Sequence, residues 1–212
     1  MTVSAGPVEP LAKPVFILDV GGVLVRHDNG LLYDRLAARC ADPFAARQKL
    51  VDAVHDEIIG TGHLSVFELH ARLVFDYDFS ATYEAFLGIW SSHFSEEPDM
   101  EPVVRALARR HRVVLFSNTN AAHWAHVTAY YPTLAHSHHA YLSYELGLIK
   151  PDPASFRRVL ELEDCRPDEV VFVDDRADNV AAAQALGMDA ITFTAAAPFR
   201  AALADRGITL DL

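Results

Sequence analysis

Cysteine is nearly missing from this chain: Cys40 and Cys165 are the two present in 212 residues, and they lie far apart in sequence. That excludes a disulfide framework and a cysteine-built zinc site, and it fits a reducing compartment in which both thiols serve packing. Cations are also scarce. The 18 Lys and Arg residues face 29 Asp and Glu, and the resulting formal net charge of −11 argues against general binding to nucleic acid or to an anionic membrane. A small anionic substrate survives this argument, because a local pocket charge can oppose the global one. No apolar run approaches the roughly 18 residues that would suggest a membrane span. Residues 1–13, rich in Ala, Pro and Gly with no cation before Lys13, lack the charged start and apolar core of a secretory signal. They read as a loose tail, and a cytoplasmic location is expected. Oligomeric state is left open.

What is present is an alternation of strand and helix patterns. Residues 15–18 are apolar and branched or aromatic, as a buried strand requires, and Asp19 follows where Gly21 and Gly22 let the backbone turn sharply. Ligand sites in open α/β sheets lie at the carboxyl ends of strands, so Asp19 stands where a nucleophile or metal ligand is useful; alternatively it caps a turn. Residues 29–93 carry apolar side chains at helical spacing, with a capping box at Ser65 and Glu68, and predict an all-helical insert. Its aromatic residues read mainly as core, with a minority lining a pocket that faces Asp19 as the alternative. Beyond it, strands are expected at 112–117, 140–144, 170–173 and 190–193. Helices are expected after Pro98, at 120–131, after Asp152 and Pro153, at 177–186 and at 199–205. This predicts an α/β fold, a doubly wound parallel sheet with most strand ends on one edge. The chain then divides into a core of residues 14–28 and 94–212 and an insert of residues 29–93.

Three of these strands end in polar residues of complementary kinds: Asp19, then Ser117, Asn118 and Thr119, then Asp174 and Asp175, with Lys150 preceding a helix between the last two. Carboxylates from two strands can hold Mg²⁺, a hard cation that prefers oxygen ligands. A hydroxyl, backbone N–H groups and an ammonium can hold the remaining oxygens of a phosphate.

In this order the residues resemble the haloacid dehalogenase superfamily, whose four motifs correspond to residues 19–24, 117–120, 150–151 and 173–179. The insert resembles that family's small type-1 helical cap. Residues 61–65, 117–120, 146–151 and 174–179 further resemble the bacterial glucose-1-phosphate phosphatase branch. The resemblance implies a Rossmann-like core and a phosphatase needing Mg²⁺ and no organic cofactor, acting on a small phosphorylated metabolite such as a sugar phosphate. It makes Asp19 the nucleophile that forms an aspartyl-phosphate. It assigns Mg²⁺ to Asp19, the Gly21 carbonyl and Asp175, with Asp174 a direct or water-mediated partner. Ser117 and Lys150 would bind the transferring group. Gly21, Gly22 and Asn118 would line the substrate site through their backbone, and Asn179 would stand in the outer shell. His123, close behind the second motif, is expected to reach substrate.

One departure matters. The family's phosphatases usually carry a second Asp two residues after the nucleophile as general acid and base, and here that position is Gly21, as in the glucose-1-phosphate phosphatase branch. General acid–base catalysis is typically worth ~10²–10⁴-fold, so its loss lowers the rate without abolishing the chemistry. His27 or Asp28 could move protons instead, or could belong to a solvated hinge. Histidines 136, 138 and 139 could bind metal, but without matching Cys or carboxylate spacing they read as loop packing. Two other functions are weighed: a 2-haloacid dehalogenase, which shares the nucleophilic Asp, and a low-turnover regulatory protein that keeps a phosphate pocket.

Overall fold

The computed structural model describes residues 12–54 and 57–212, and the side chains of 52–57 are not among those described. Most of the expected tail, residues 1–11, therefore lies outside the described residues. Ala12 and Lys13 belong to the first strand, β1 (Ala12–Leu18), rather than to a tail.

Four further strands run parallel to β1 in one sheet: β4 (His111–Ser117), β5 (His139–Leu142), β6 (Val170–Asp174) and β7 (Asp189–Thr192). Their order is β5-β4-β1-β6-β7, with β1 central between β4 and β6. The period of two in each strand explains why both faces are covered. Phe16 and Leu18, Val113 and Leu115, and Val171 and Val173 point into one apolar cluster. Val15 and Ile17, Val114 and Phe116, and Val170 and Phe172 point into another. Helices α6 (Glu101–Ala108), α7 (Ala121–Tyr130) and α11 (Ala196–Asp205) close the first face. The second is closed by α9 (Pro153–Leu162) and α10 (Ala177–Ala185).

Between β1 and β4 the chain forms α1 (Asn29–Ala37), α2 (Pro43–Val54), α3 (Glu57–Gly60), α4 (Val66–Tyr77) and α5 (Tyr83–Trp90). These helices share an apolar cluster of their own, built on Leu32, Leu36, Leu50, Leu73, Phe86 and Trp90. The expected capping box is formed: the Ser65 hydroxyl accepts from Glu68 N at 3.2 Å, and Glu68 Oε2 accepts from Ser65 N at 2.8 Å. Asp152 likewise caps α9, accepting from Ala154 N at 2.9 Å, with Pro153 in the first turn.

Two differences from the sequence reading are instructive. The segments flanking the helical insert pair as a short antiparallel ribbon, β2 (Val25–His27) with β3 (Phe94–Glu96). Three residues per strand are too few for a period to show. The strand expected at 140–144 ends at Leu142, and Ser143 opens a single helical turn, α8 (Ser143–Leu146), closed by Gly147 in the left-handed region.

Candidate active site

The strand order puts a crevice between β1 and β6, whose onward connections run in opposite directions, from β1 toward β4 and from β6 toward β7. Asp19 lies there, its backbone N–H donating to Val173 O at 2.9 Å, so the end of β1 stays in register with the end of β6. Ser117 ends β4, and Asp174 ends β6.

Lys150 joins these ends. The residue is 3% exposed, and its ammonium donates to Asp19 Oδ1 at 2.9 Å, Asp174 Oδ2 at 2.8 Å and Phe116 O at 2.7 Å. Burial works against its charge, but the Asp19 and Asp174 carboxylates offset that and hold it above the ordinary lysine range. Burial also raises the Asp19 carboxyl; Lys150 pulls it back and Asp174 adds to the rise, leaving it at about 6. Asn118 sets the lysine's position through its side chain, accepting from Lys150 N at 2.9 Å and donating to Lys150 O at 2.7 Å.

The carboxylate oxygens of Asp19, Asp174 and Asp175 lie within 4.8 Å of one another. Asp174, fully buried, is saturated: Oδ1 accepts from Arg176 N and Asn179 Nδ2, and Oδ2 from Lys150 Nζ and Asn179 Nδ2. Asp175 is exposed, and burial of its inner part, then Asp174, raises its carboxyl. Gly22 makes room for it. At a φ of +81°, a Cβ on Gly22 would sit 2.2 Å from Asp175 Oδ2. These residues fit a hard cation: the donors are oxygen, the Gly22 cradle seats one carboxylate, and the buried Asn179 Oδ1 has no partner within the protein, as an acceptor for a metal-bound water would. The histidines at 136–139 do not gather in this way. His136 pairs with Glu101 at 2.8 Å, and His138 contacts the backbone of Val113. Among the described residues, the group able to hold a metal is the aspartate trio.

A cavity of about 460 Å³ opens over these groups and is lined by Asp19, Gly21, Ser117, Asn118, Lys150, Asp175 and Asn179, as expected. His123 lines it too, but with its ring nitrogens engaged: Nε2 lies 3.0 Å from Trp90 O, and Nδ1 lies 3.1 Å from Asn120 Nδ2. Burial, then the neighbouring His93, pushes it down to about 3, so it is neutral, with Nε2 the donor. Its ring stacks on Trp90 at 4.7 Å, and Trp90 Nε1 donates to Asn120 Oδ1 at 3.3 Å. His123, expected to reach substrate, thus presents its ring to the cavity while its nitrogens tie the helical insert to α7.

Sequence reasoning missed Ser143 entirely. Fully buried, its hydroxyl accepts from Thr119 N at 2.9 Å and donates toward Gly60 O at 2.5 Å or Thr119 O at 3.1 Å. It links the loop after β4 to the insert, and no local pattern marks it. His27 was noted only as a hinge residue or proton carrier. Its imidazole carbon Cδ2 lies 3.0 Å from where a Cβ on Gly21 would stand, filling part of the space a side chain there would take.

A family model for haloacid dehalogenase-like hydrolases matches residues 13–187. The chain belongs to the haloacid dehalogenase-like hydrolases. Among solved structures, this hydrolase is similar to a haloacid dehalogenase family enzyme of Bacteroides thetaiotaomicron in complex with magnesium and inorganic phosphate. That match has a TM-score of 0.77 and 23% identity, covering 87% of this chain and 96% of the other. It is also similar to the 2-haloacid dehalogenase of Pseudomonas syringae pv. tomato, with a TM-score of 0.60 and 21% identity over 95% of this chain and 90% of that one. Among curated proteins, 48 residues are 48% identical to part of the drimenol cyclase drtB of Aspergillus calidoustus, a match spanning 23% of this chain and 9% of that protein. At these identities the solved structures show a shared fold.

Proposed function

We propose that this hydrolase is a Mg²⁺-dependent phosphatase of small phosphorylated metabolites, working through an aspartyl-phosphate on Asp19. The observation that carries this is the buried Lys150 ammonium bound to both Asp19 and Asp174, beside a third carboxylate seated in the Gly22 cradle. The residues that would hold the ion are Asp19, the Gly21 carbonyl and Asp175. Asp174, with both oxygens already accepting hydrogen bonds, is assigned to the outer shell with Asn179. Bound there, Mg²⁺ would supply positive charge against the phosphate and the clustered carboxylates.

Asp19 attacks phosphorus, the bond to the leaving oxygen breaks, and the phosphoryl group remains on the carboxylate. Gly21 offers no side-chain acid, so the leaving alkoxide takes its proton from water. A second water attacks phosphorus, the acyl-phosphate P–O bond breaks, and inorganic phosphate leaves with Asp19 restored. Throughout, Lys150 holds Asp19 in place and balances charge on the phosphoryl oxygens, with Ser117 facing the same cavity. The helical insert, residues 29–93, acts as the cap that excludes water and selects the leaving group; Trp90, His123 and Asn120 tie it to the core. We place the protein in the cytoplasm. Among the described residues no helix is long and apolar enough to cross a membrane.

The test is phosphate release from a panel of small monoesters with Mg²⁺, with chelator, and with Asp19→Asn. Activity that needs Mg²⁺ and disappears in Asp19→Asn is expected. Metal-independent halide release from a 2-haloacid would establish the dehalogenase reading instead, and tight phosphoester binding without turnover the regulatory one.

A further inference from the structure

The cavity over Asp19 has two chemically different ends. Asp19, Ser117, Lys150 and Asp175 form one. The other is walled by Leu32, Ile59, Trp90, Phe94, His123 and Trp124, contributed by the helical insert, its return strand β3 and helix α7.

Charge is distributed just as unevenly. Of the chain's 18 Lys and Arg residues, two line the cavity, Lys150 and Arg176, and residues 1–11 and 52–57 contain neither type. Lys150 is committed to Asp19 and Asp174. Arg176 is turned to Asp178, with Nε to Oδ1 at 3.0 Å and Nη2 to Oδ2 at 2.6 Å. The imidazoles of the second end carry no charge at neutral pH: burial pushes His93 down to about 4 and His123 to about 3. His93 is 5% exposed and lines the cavity.

We propose that the aromatic end is a leaving-group chamber for an uncharged alcohol, ring-bearing alcohols above all, so that the substrates are monoesters whose sole anionic group is the transferred phosphate. This rests on reading the Lys150 end as the phosphoryl site. A second carboxylate or phosphate would meet no unpaired Lys or Arg in the cavity, would lose hydration against apolar walls, and would face Asp19 and Asp175 in a protein of net charge −11. An uncharged ring meets the faces of Trp90, Phe94 and Trp124. Discrimination therefore comes from repulsion and desolvation of the wrong substrate as much as from attraction of the right one.

Two matched pairs test this: benzyl phosphate against 4-carboxybenzyl phosphate, and glycerol 2-phosphate against 2-phosphoglycerate. With Mg²⁺, the uncharged member of each pair is expected to have kcat/KM about tenfold higher or more. The same benzyl esters are titrated into Asp19→Asn protein with tryptophan fluorescence as the readout, since both tryptophans of the chain, Trp90 and Trp124, line the cavity. Benzyl phosphate is expected to bind about tenfold tighter there as well. Turnover of both members without preference would overturn the chamber assignment and leave the phosphatase standing. Preferential binding with no turnover of any ester would overturn the phosphatase reading and leave the chamber standing. Equal or tighter binding of the carboxylated ester, or binding of neither, would overturn the chamber.

Discussion

Gly22→Ala tests the metal site through a single methyl group. The new Cβ would stand 2.2 Å from Asp175 Oδ2, 2.5 Å from its Cγ and 3.0 Å from Oδ1, so the clash is with the head of the carboxylate. The alanine must also hold a φ of +81°, which costs roughly 1–2 kcal/mol for a residue with a side chain. The carboxylate must retreat by about 1 Å to reach an ordinary non-bonded contact, and that displaces it relative to Asp19 and Asp174. Metal affinity should fall by about 100-fold or more, at least what is lost when a residue merely supporting a ligand is removed. Gly21→Ala is the control one position away. Its Cβ would meet His27 Cδ2 at 3.0 Å and Nε2 at 3.4 Å, the far end of an exposed side chain that can swing aside, so fold and metal binding should be close to wild type. Calorimetric Mg²⁺ titrations on both variants, with denaturant unfolding in parallel, separate loss of the ligand from loss of the fold. Wild-type Mg²⁺ affinity in Gly22→Ala, or equal losses in the two variants, would refute the placement of Asp175 at the metal.

Other perturbations probe other parts of the site. Lys150→Met leaves Asp19 and Asp174 without their shared cation and should cost on the order of 3–5 kcal/mol of stability without metal, partly restored by Mg²⁺; unchanged denaturant midpoints would count against the buried cluster. His93 and His123 have folded pKa values below their unfolded ones, so the unfolded chain binds more protons between pH 6.5 and about 4 to 3, and their contribution to stability is lost as pH falls through that window. Wild type should therefore lose more stability than His123→Gln between pH 7.5 and 5, by a few kcal/mol at most, and parallel losses would show that His123 is not held neutral. Ser143→Ala leaves the Thr119 N–H without its acceptor and breaks the contact to Gly60, for about 1–3 kcal/mol. Amide exchange should quicken at Thr119 and around residues 60–62, and unaltered exchange at both places would remove Ser143 from the coupling between insert and core.

The parallel α/β architecture was legible in the sequence because its causes are local. Alternating apolar residues dictate strands buried on both faces; Ser65 and Asp152 mark helix starts through bonds to residues two or three positions away, and Pro153 does so through its fixed φ. The order of Asp19, Ser117, Lys150 and Asp175 was legible for a related reason: each stands at a strand end or a helix start that its own neighbours define. Tertiary structure alone decided what these groups do to one another. Lys150 and Asp19 are 131 positions apart, and nothing near either one says that the ammonium also takes Asp174. That second bond, with those from Arg176 N and Asn179, saturates Asp174 and leaves Asp175 as the available carboxylate. The same reason engages both ring nitrogens of His123 although the residue lines the cavity. A side chain's residue type is written in the sequence, but which of its polar atoms remain unpaired depends on the atoms packed around it from distant segments, here Trp90 and Asn120.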